Sequence, residues 1–466
     1  MNKSIQQFCE KNTGRILKRI VMQVKEGEDI GQISDGICKD LCKLGLSVIA
    51  EILEDMDDEL RGSEDRKKHY EIVHKRKNSF LTRMGEGTYR RTCFKDKRTG
   101  KTEYTTDRIF GIRPHENIAS DVETHMIEEA LQTTYRKGGK QAVISEEELS
   151  KQTVMNYISR YGFELPEAKE EPEQRKSRII YIEADEDHVA LQEGGTAMPR
   201  LVYVHEGAEK EGAKSKRRRL KNVKYFDSMG ESSTDLWERV LDYVYIKYDY
   251  ESIDRIYISG DGASWIKAGT GIIDKSRFVL DRYHLRKYLR QASSHMDIVL
   301  QDALNDAIYE ADKDTVTAVL DRIVGMTEEG SKRDSVMDAY RYIMNNWSGI
   351  RIYSEEREDI TGCSAEGHVS HIYSSRLSSR PKGWSVRNVG NMAKLIVYSM
   401  NGGKIIDLVK YRRSMEDPAK KEEGRGEPAM AARARKEFYN NVSMPVISQG
   451  KRTQLRWLLK EIRGVC

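Results

Sequence analysis

Between residues 179 and 281 the chain alternates in a way that few folds accept. Three β-prone runs come first: Ile179-Ile180-Tyr181-Ile182-Glu183-Ala184-Asp185, Arg200-Leu201-Val202-Tyr203-Val204-His205 and Lys221-Asn222-Val223-Lys224-Tyr225-Phe226. A helical stretch from Ser233 to about Tyr248 follows, with Leu236, Val240 and Val244 on one face. Arg255-Ile256-Tyr257-Ile258-Ser259-Gly260-Asp261-Gly262 then reads as a fourth strand running into a glycine-flanked aspartate. A short helix over 263–273 leads to a fifth strand, Arg277-Phe278-Val279-Leu280-Asp281. Short apolar runs broken by helices predict a mixed sheet with helical cover.

The order of three antiparallel strands, helix, strand, helix, strand is that of a ribonuclease-H-like α/β core, in which strands one and four lie side by side. Asp185 and Asp261 then meet at neighbouring strand ends, with Glu183 and Asp187 as alternative ligands flanking Asp185. Two close carboxylates repel unless a cation lies between them. Hard oxygen ligands suit Mg2+ or Mn2+. A pair of such ions about 3.5–4 Å apart can activate an attacking hydroxyl and stabilise a leaving oxygen. Gly260 and Gly262 are expected to leave room for a backbone or a phosphate to approach the metals. The third carboxylate is sought far downstream, in Cys363-Ser364-Ala365-Glu366-Gly367-His368-Val369-Ser370-His371, where Glu366 and two histidines sit among small residues. Between lie helical stripes, Leu300, Leu304 and Ile308, then Val316, Leu320 and Ile323, which read as an insertion.

Six stretches follow from these patterns: a helical region at 1–78, a hairpin and helix-turn-helix region at 79–162, the first part of the core at 179–284, the insertion at 285–355, the last part of the core at 356–403 and a charged tail at 404–466. The tail carries an expected loop at 420–427 and a closing helix around Trp457 and Leu458. Residues 54–77 are charge-rich and read as a solvated helix. Runs 88–94 and 102–106 flank Asp96-Lys97-Arg98-Thr99-Gly100, a turn, and make a hairpin. Ser145 with Glu148 fits a capping box, and Ser150 can cap the helix at 151–158. In that helix Gln152 and Asn156 could bond base edges while Lys151 and Thr153 meet phosphates; an ordinary three-helix packing unit fits equally well. A polar linker at 163–178 holds two of the eight prolines and marks a boundary.

The chain has 466 residues, more than one ordinary core can organise. No apolar run approaches the roughly 18 residues of a membrane helix, so no membrane partner is expected. The start lacks an apolar signal core, and six scattered cysteines suggest free thiols and a cytoplasmic location. The net charge of +4 is mild, but basic residues concentrate at 210–224 and 376–394. Lys216, Arg217, Arg218 and Arg219 in the first cluster, and Arg376, Arg380, Lys382 and Arg387 in the second, are candidate phosphate contacts. Trp384 could stack on a base or serve as a buried anchor.

Several motifs taken together carry a resemblance. They are Tyr-Arg-Arg-Thr with Phe-Lys-Asp-Lys-x-Thr-Gly (89–100), Leu-Ser-Lys-Gln-Thr-Val (149–154), Ile-Glu-Ala-Asp-Glu-Asp-His-Val (182–189), Ser-Gly-Asp-Gly-Ala-Ser-Trp-Ile (259–266), Val-Leu-Asp-Arg-Tyr-His-Leu-Arg-Lys-Tyr (279–288) and Cys-Ser-Ala-Glu-Gly-His-Val-Ser-His (363–371). With them the chain resembles insertion-sequence transposases of the ISLre-two family, distantly similar to mutator-type transposases. The resemblance implies a DDE-type transposase with Asp185, Asp261 and Glu366 as catalytic and metal-holding residues and two Mg2+ or Mn2+ ions. It implies cutting at element ends, joining to target DNA and a homo-oligomer assembled on DNA. His284 stands where mutator-type relatives carry the histidine of a Cys-x-x-His, here with Asp281 in the cysteine position; His284 could contact DNA or the catalytic region, and His368 is a candidate DNA contact. A DNA-binding protein without catalysis, or a nuclease that cuts without joining, is the alternative.

Overall fold

The computed structural model describes residues 13–145, 147–166, 174–212, 215, 218–379 and 383–416. Lys216, Arg217, Arg380, Lys382 and the expected loop and helix of the tail lie outside the described residues. The chain divides into two compact units, one of residues 1–157 with 405–466, the other of residues 158–404.

The first unit opens with helices α1 (Thr13–Lys25), α2 (Ile30–Gly62) and α3 (Glu64–His69). Asp29 and Gln32 close a reciprocal capping box at the start of α2. The solvated helix expected through residue 77 ends at His69. Tyr70–Thr82 is instead strand β1, which pairs antiparallel with β2 (Gly85–Asp96) from Tyr70 opposite Asp96 to Thr82 opposite Gly85. Tyr70, Ile72, Val73 and Phe80 supply the β preference that the lysines and arginines between them conceal. The turn at Asp96–Gly100 is present. Asp96 accepts from the Arg98 and Thr99 amides at 2.7 and 2.9 Å, and Gly100 takes φ +68°. The hairpin across it is short, since only β3 (Thr102–Glu103) pairs there, so β1 is the main partner of β2.

Three helices follow: α4 (Ser120–Gln132), α5 (Tyr135–Gln141) and α6 (Lys151–Ile158). Val122, Met126, Ile127 and Ala130 are buried along α4. Ser150 caps α6, its hydroxyl accepting from the Thr153 amide at 3.0 Å. Ser145 and Glu148 lie in the coil before it and form no capping box. The helix Ile405–Met415 completes this unit. Its Arg412 and Arg413 both bond the fully buried Glu123, Arg412 through both carboxylate oxygens at 2.7 and 2.8 Å.

The second unit is built on a five-stranded mixed sheet. Its strands are β4 (Ile179–Glu186), β5 (Arg200–His205), β6 (Lys224–Ser228), β7 (Arg255–Gly260) and β8 (Ser276–Leu280). The spatial order is β6-β5-β4-β7-β8. β5 runs antiparallel to both of its neighbours, while β4, β7 and β8 run parallel. β6 starts at Lys224, later than the pattern suggested, because Asn222 sits in the left-handed region at φ +53° and belongs to the preceding turn.

Helix α7 (Ser233–Lys247) buries Leu236, Trp237, Val240 and Val244 against the sheet. Five helices separate β8 from the downstream acidic segment: α8 (Arg282–Ser293), α9 (Ile298–Glu310), α10 (Lys313–Met326), α11 (Ser331–Asn345) and α12 (Trp347–Glu355). Leu304, Val316, Leu320 and Ile323 join the same apolar cluster as Ile182, Val204 and Ile258, so this block extends the core of the sheet. Two more helices follow, α13 (Ala365–Val369) and α14 (Val386–Met400). No helix among the described residues is long and apolar enough to cross a membrane.

Candidate active site

β4 alternates buried apolar residues with acids, so Glu183 and Asp185 project to one face, with Asp187 just past the strand end. The two outer acids are occupied by protein. Glu183 is 2% exposed and accepts from the Ser364 amide at 2.6 Å, the Ser364 hydroxyl at 3.0 Å and the Tyr203 hydroxyl at 2.5 Å. His205 at 3.1 Å and the Cys363 thiol at 3.5 Å complete the set. The Gly207 amide donates to His205 Nδ1 at 3.0 Å, which leaves Nε2–H as the donor to Glu183. Burial pushes the Glu183 carboxyl up, but bonds from His205, Tyr203 and Ser364 outweigh it and hold it below the usual range. Asp187 accepts from the Ser374 and Ser378 hydroxyls at 3.0 and 2.8 Å. These two acids therefore fasten the 364–378 segment to the end of β4.

Asp185 lies between them. Burial pushes its carboxyl up to about 7, with Asp261 and Glu366 adding like-charge repulsion. Asp261 follows β7, which runs parallel beside β4 with Ser259 opposite Glu183. That register carries Asp261 level with Asp185. Asp261 accepts from the Ala263 amide at 2.9 Å, and the Tyr342 hydroxyl of α11 bonds its carbonyl.

The flanking glycines make room for neighbouring protein groups. A Cβ at Gly260 would lie 2.7 Å from the Ala184 carbonyl, so its absence lets β7 approach β4. Gly262 holds φ +93°, and a Cβ there would lie 2.2 Å from Asn346 Oδ1.

Glu366 sits in the first turn of α13, its side chain 55% exposed. His284 Nε2 is 4.0 Å from it, while His284 Nδ1 is 3.0 Å from Asp281. Asp281 caps α8 and also accepts from the Tyr283 amide at 3.1 Å. The bond to Asp281 pushes the His284 imidazole up against the effect of burial, and Asp261 and Asp185 add to it. His284 thus stands beside Asp281 and Glu366, within electrostatic reach of Asp185 and Asp261. Among the described residues, no three histidine, cysteine, aspartate or glutamate side chains stand close enough to ligate one ion in this conformation.

The other candidate residues scatter. Lys151, Gln152 and Asn156 share the exposed face of α6, where Gln152 donates to Asn156 at 2.9 Å. Arg218 and Arg219 are exposed on a short two-stranded ribbon, and Arg219 pairs with Glu209 at 2.8 Å. His368 is half-buried with its ring 4.5 Å from that of Tyr203, inside the Glu183 network. Arg376 is buried with its guanidinium 4.9 Å from the Trp384 ring, and Trp384 donates to the Leu377 carbonyl at 2.9 Å. Both side chains are interior anchors of the 370–385 segment. The network of Tyr203, His205 and Ser364 was not anticipated. Its signal was a histidine and a tyrosine on an otherwise apolar strand, facing an acid on the next.

The model of an uncharacterised protein family, UPF0236, matches residues 23–413. The chain belongs to this family. A UPF0236 protein of Caldanaerobacter subterraneus subsp. tengcongensis is 42% identical over 397 residues, covering 85% of this chain and 80% of its own. A second from that organism is 42% identical over 397 residues, covering 85% and 76%. A third is 41% identical over 385 residues, covering 83% and 81%. The UPF0236 match spans both acidic strand ends and the Glu366 segment.

Proposed function

We propose that this UPF0236 protein is a metal-dependent DNA transposase whose second unit is a ribonuclease-H-like core and whose helices α4–α6 form a helix-turn-helix. One observation carries the reading. Asp185, Asp261 and Glu366, separated by 76 and 105 positions in sequence, act on one another electrostatically at the carboxyl end of the sheet. Repulsion of this kind is what a divalent cation relieves. A mixed sheet in the order β6-β5-β4-β7-β8, with β5 antiparallel to its neighbours, supports the reading of the core. A further support comes from the relatives. The name of one joins eleven separate designations from a single organism and that of another joins four, as a self-copying element would leave behind.

The donor set fits Mg2+ or Mn2+: three carboxylates, all hard oxygen, with Asp185 driven toward its protonated form by burial and by repulsion from Asp261 and Glu366. When bound, a pair of such ions supplies Lewis-acid activation of the attacking hydroxyl and charge neutralisation at the leaving oxygen. Asp185 and Asp261 would hold them from the rigid strand ends. Glu366, exposed on a long side chain, has the rotamer freedom to close from α13. Asp185 gives up its proton as the site fills. His284, 4.0 Å from Glu366, helps to orient that carboxylate. Glu183 and Asp187 keep α13 docked on β4. Water first displaces the 3′-oxygen at the element end, and the exposed 3′-hydroxyl then displaces a 3′-oxygen of target DNA.

The test is a strand-transfer assay on element-end DNA with Mg2+, using the full chain and Asp185→Asn, Asp261→Asn and Glu366→Gln. Cutting and joining by the wild type, with each variant down at least about 100-fold, is the expected result. Cutting without joining would make the protein a nuclease. No metal-dependent chemistry, with DNA binding retained, would make it a non-catalytic binder.

A further inference from the structure

The carboxyl end of the sheet holds more than the three acids. Ser228 at the end of β6 pairs with Arg200, and Arg200 pairs with Glu186 at the end of β4. Two strand spacings, about 10 Å, therefore separate the end of β6 from the acidic site. Just past Ser228 the chain turns through Gly230, at φ +85°, and a cavity of about 560 Å³ opens there.

Every charged side chain that lines the cavity is a cation: Arg160, Arg387 and Lys394. Asp227 lies within electrostatic reach of Lys394 but is not part of the lining. The frame is preformed. Arg387 Nη2 donates to the Ser159 carbonyl at 2.7 Å and Asn391 to the Ile158 carbonyl at 3.1 Å, which ties the 158–163 loop to α14. The apolar lining is Phe163, half-buried, with Met229 and a Val386 that is 58% exposed. Three cations around one concavity repel each other, and an anion seated among them relieves the repulsion. A flat apolar group beside that anion would find the Phe163 ring. Phosphate joined to a planar base is the ligand with both properties.

We infer that this cavity seats one nucleotide of the DNA strand being cut, its phosphate held by Arg160, Arg387 and Lys394 and its base against Phe163. The inference rests on the reading of the acids as a DNA-cutting site. The register places the end of β6, beside the cavity, two strands from the acidic end of β4, so one DNA strand can reach both.

The test uses the full chain and a fluorescein-labelled 20-nucleotide DNA, single-stranded and as a duplex, read by anisotropy across a salt series. Arg160→Glu with Lys394→Glu should weaken binding about tenfold or more and reduce the slope of log affinity against log salt by about 1. Phe163→Leu should weaken single-strand binding about fivefold or more with an unchanged slope, the mark of stacking and not of charge. In the wild type, the oligonucleotide should protect Lys394 from acetylation while the same concentration of inorganic phosphate does not, and this holds even if a variant misfolds. Unchanged affinity in folded variants, or a Lys394 that the oligonucleotide leaves open, overturns the cavity. If cleavage still depends on Asp185 in that case, the acidic site stands without it. If the cavity variants lose binding but the wild type never cuts, the cavity stands and the reading of the acids fails.

Discussion

At the residue scale, three acids between residues 183 and 187 end in three different states. Glu183 is an ionised hub for five donors, Asp187 ties down two serines, and Asp185 is driven toward neutrality. Asp185 makes the metal-free protein pH-sensitive. Burial pushes its folded carboxyl up to about 7 from an ordinary 3.8, so the folded chain binds this proton more tightly than the unfolded chain does. Its contribution is therefore at its best in acid and falls as pH rises from about 4 to about 7. Asp185→Asn should raise the melting temperature of the metal-free protein at pH 8 while leaving it nearly unchanged at pH 4, with an upper limit of about 4 kcal/mol. Calorimetry at the two pH values reads this, and Mg2+ should narrow the gap by stabilising the wild type alone. Glu183→Ala should cost about 3–5 kcal/mol, because buried donors lose their shared acceptor. Urea unfolding measures that loss. The paired aspartates were legible in sequence because acids that close apolar β-prone runs are a local pattern. The roles of Glu183 and Asp187 were not, because Ser364, Ser374 and Ser378 reach them across about 180 intervening residues.

At the element scale, glycine and asparagine decide how the helical block meets the sheet. Gly262 leaves the end of β7 in a left-handed conformation, with Asn346 where a side chain would otherwise stand. Gly262→Ala should destabilise the second unit by about 1–3 kcal/mol from backbone strain, with the steric clash added. A fall in urea midpoint, together with faster hydrogen exchange at the amides of 261–263, would record it. The helices of the 282–355 block were legible because their apolar stripes run uninterrupted over two or three turns each. Strand β1 was not. Between Val73 and Phe80 its side chains are almost all charged or polar, and composition of that kind matches a solvated helix until β2 is known to lie alongside.

At the scale of the whole molecule, the chain leaves its first unit near residue 157 and returns to it at residue 405. The returning helix brings Arg412 and Arg413 to Glu123, which is wholly buried. Removing one partner from such a pair costs more than the pair contributes. Arg412→Ala should lower the stability of the first unit by about 3–5 kcal/mol and leave the second unit unchanged. Hydrogen exchange resolved along the sequence should show faster opening at 120–132 with no change at 179–186. Boundaries of this type escape a sequence reading, because nothing local in a short arginine-bearing helix says which distant segment it completes.

The 289 residues between Glu123 and Arg412 also impose an order in time. At translation rates of about 5–20 residues per second, the acid leaves the ribosome some 15–60 s before its guanidinium partner exists. The sheet-bearing unit, contiguous in the chain, can finish folding within that interval. The amino-terminal unit begins first and closes last, so a transcript truncated ahead of Arg412 would yield a finished sheet and an unfinished first unit.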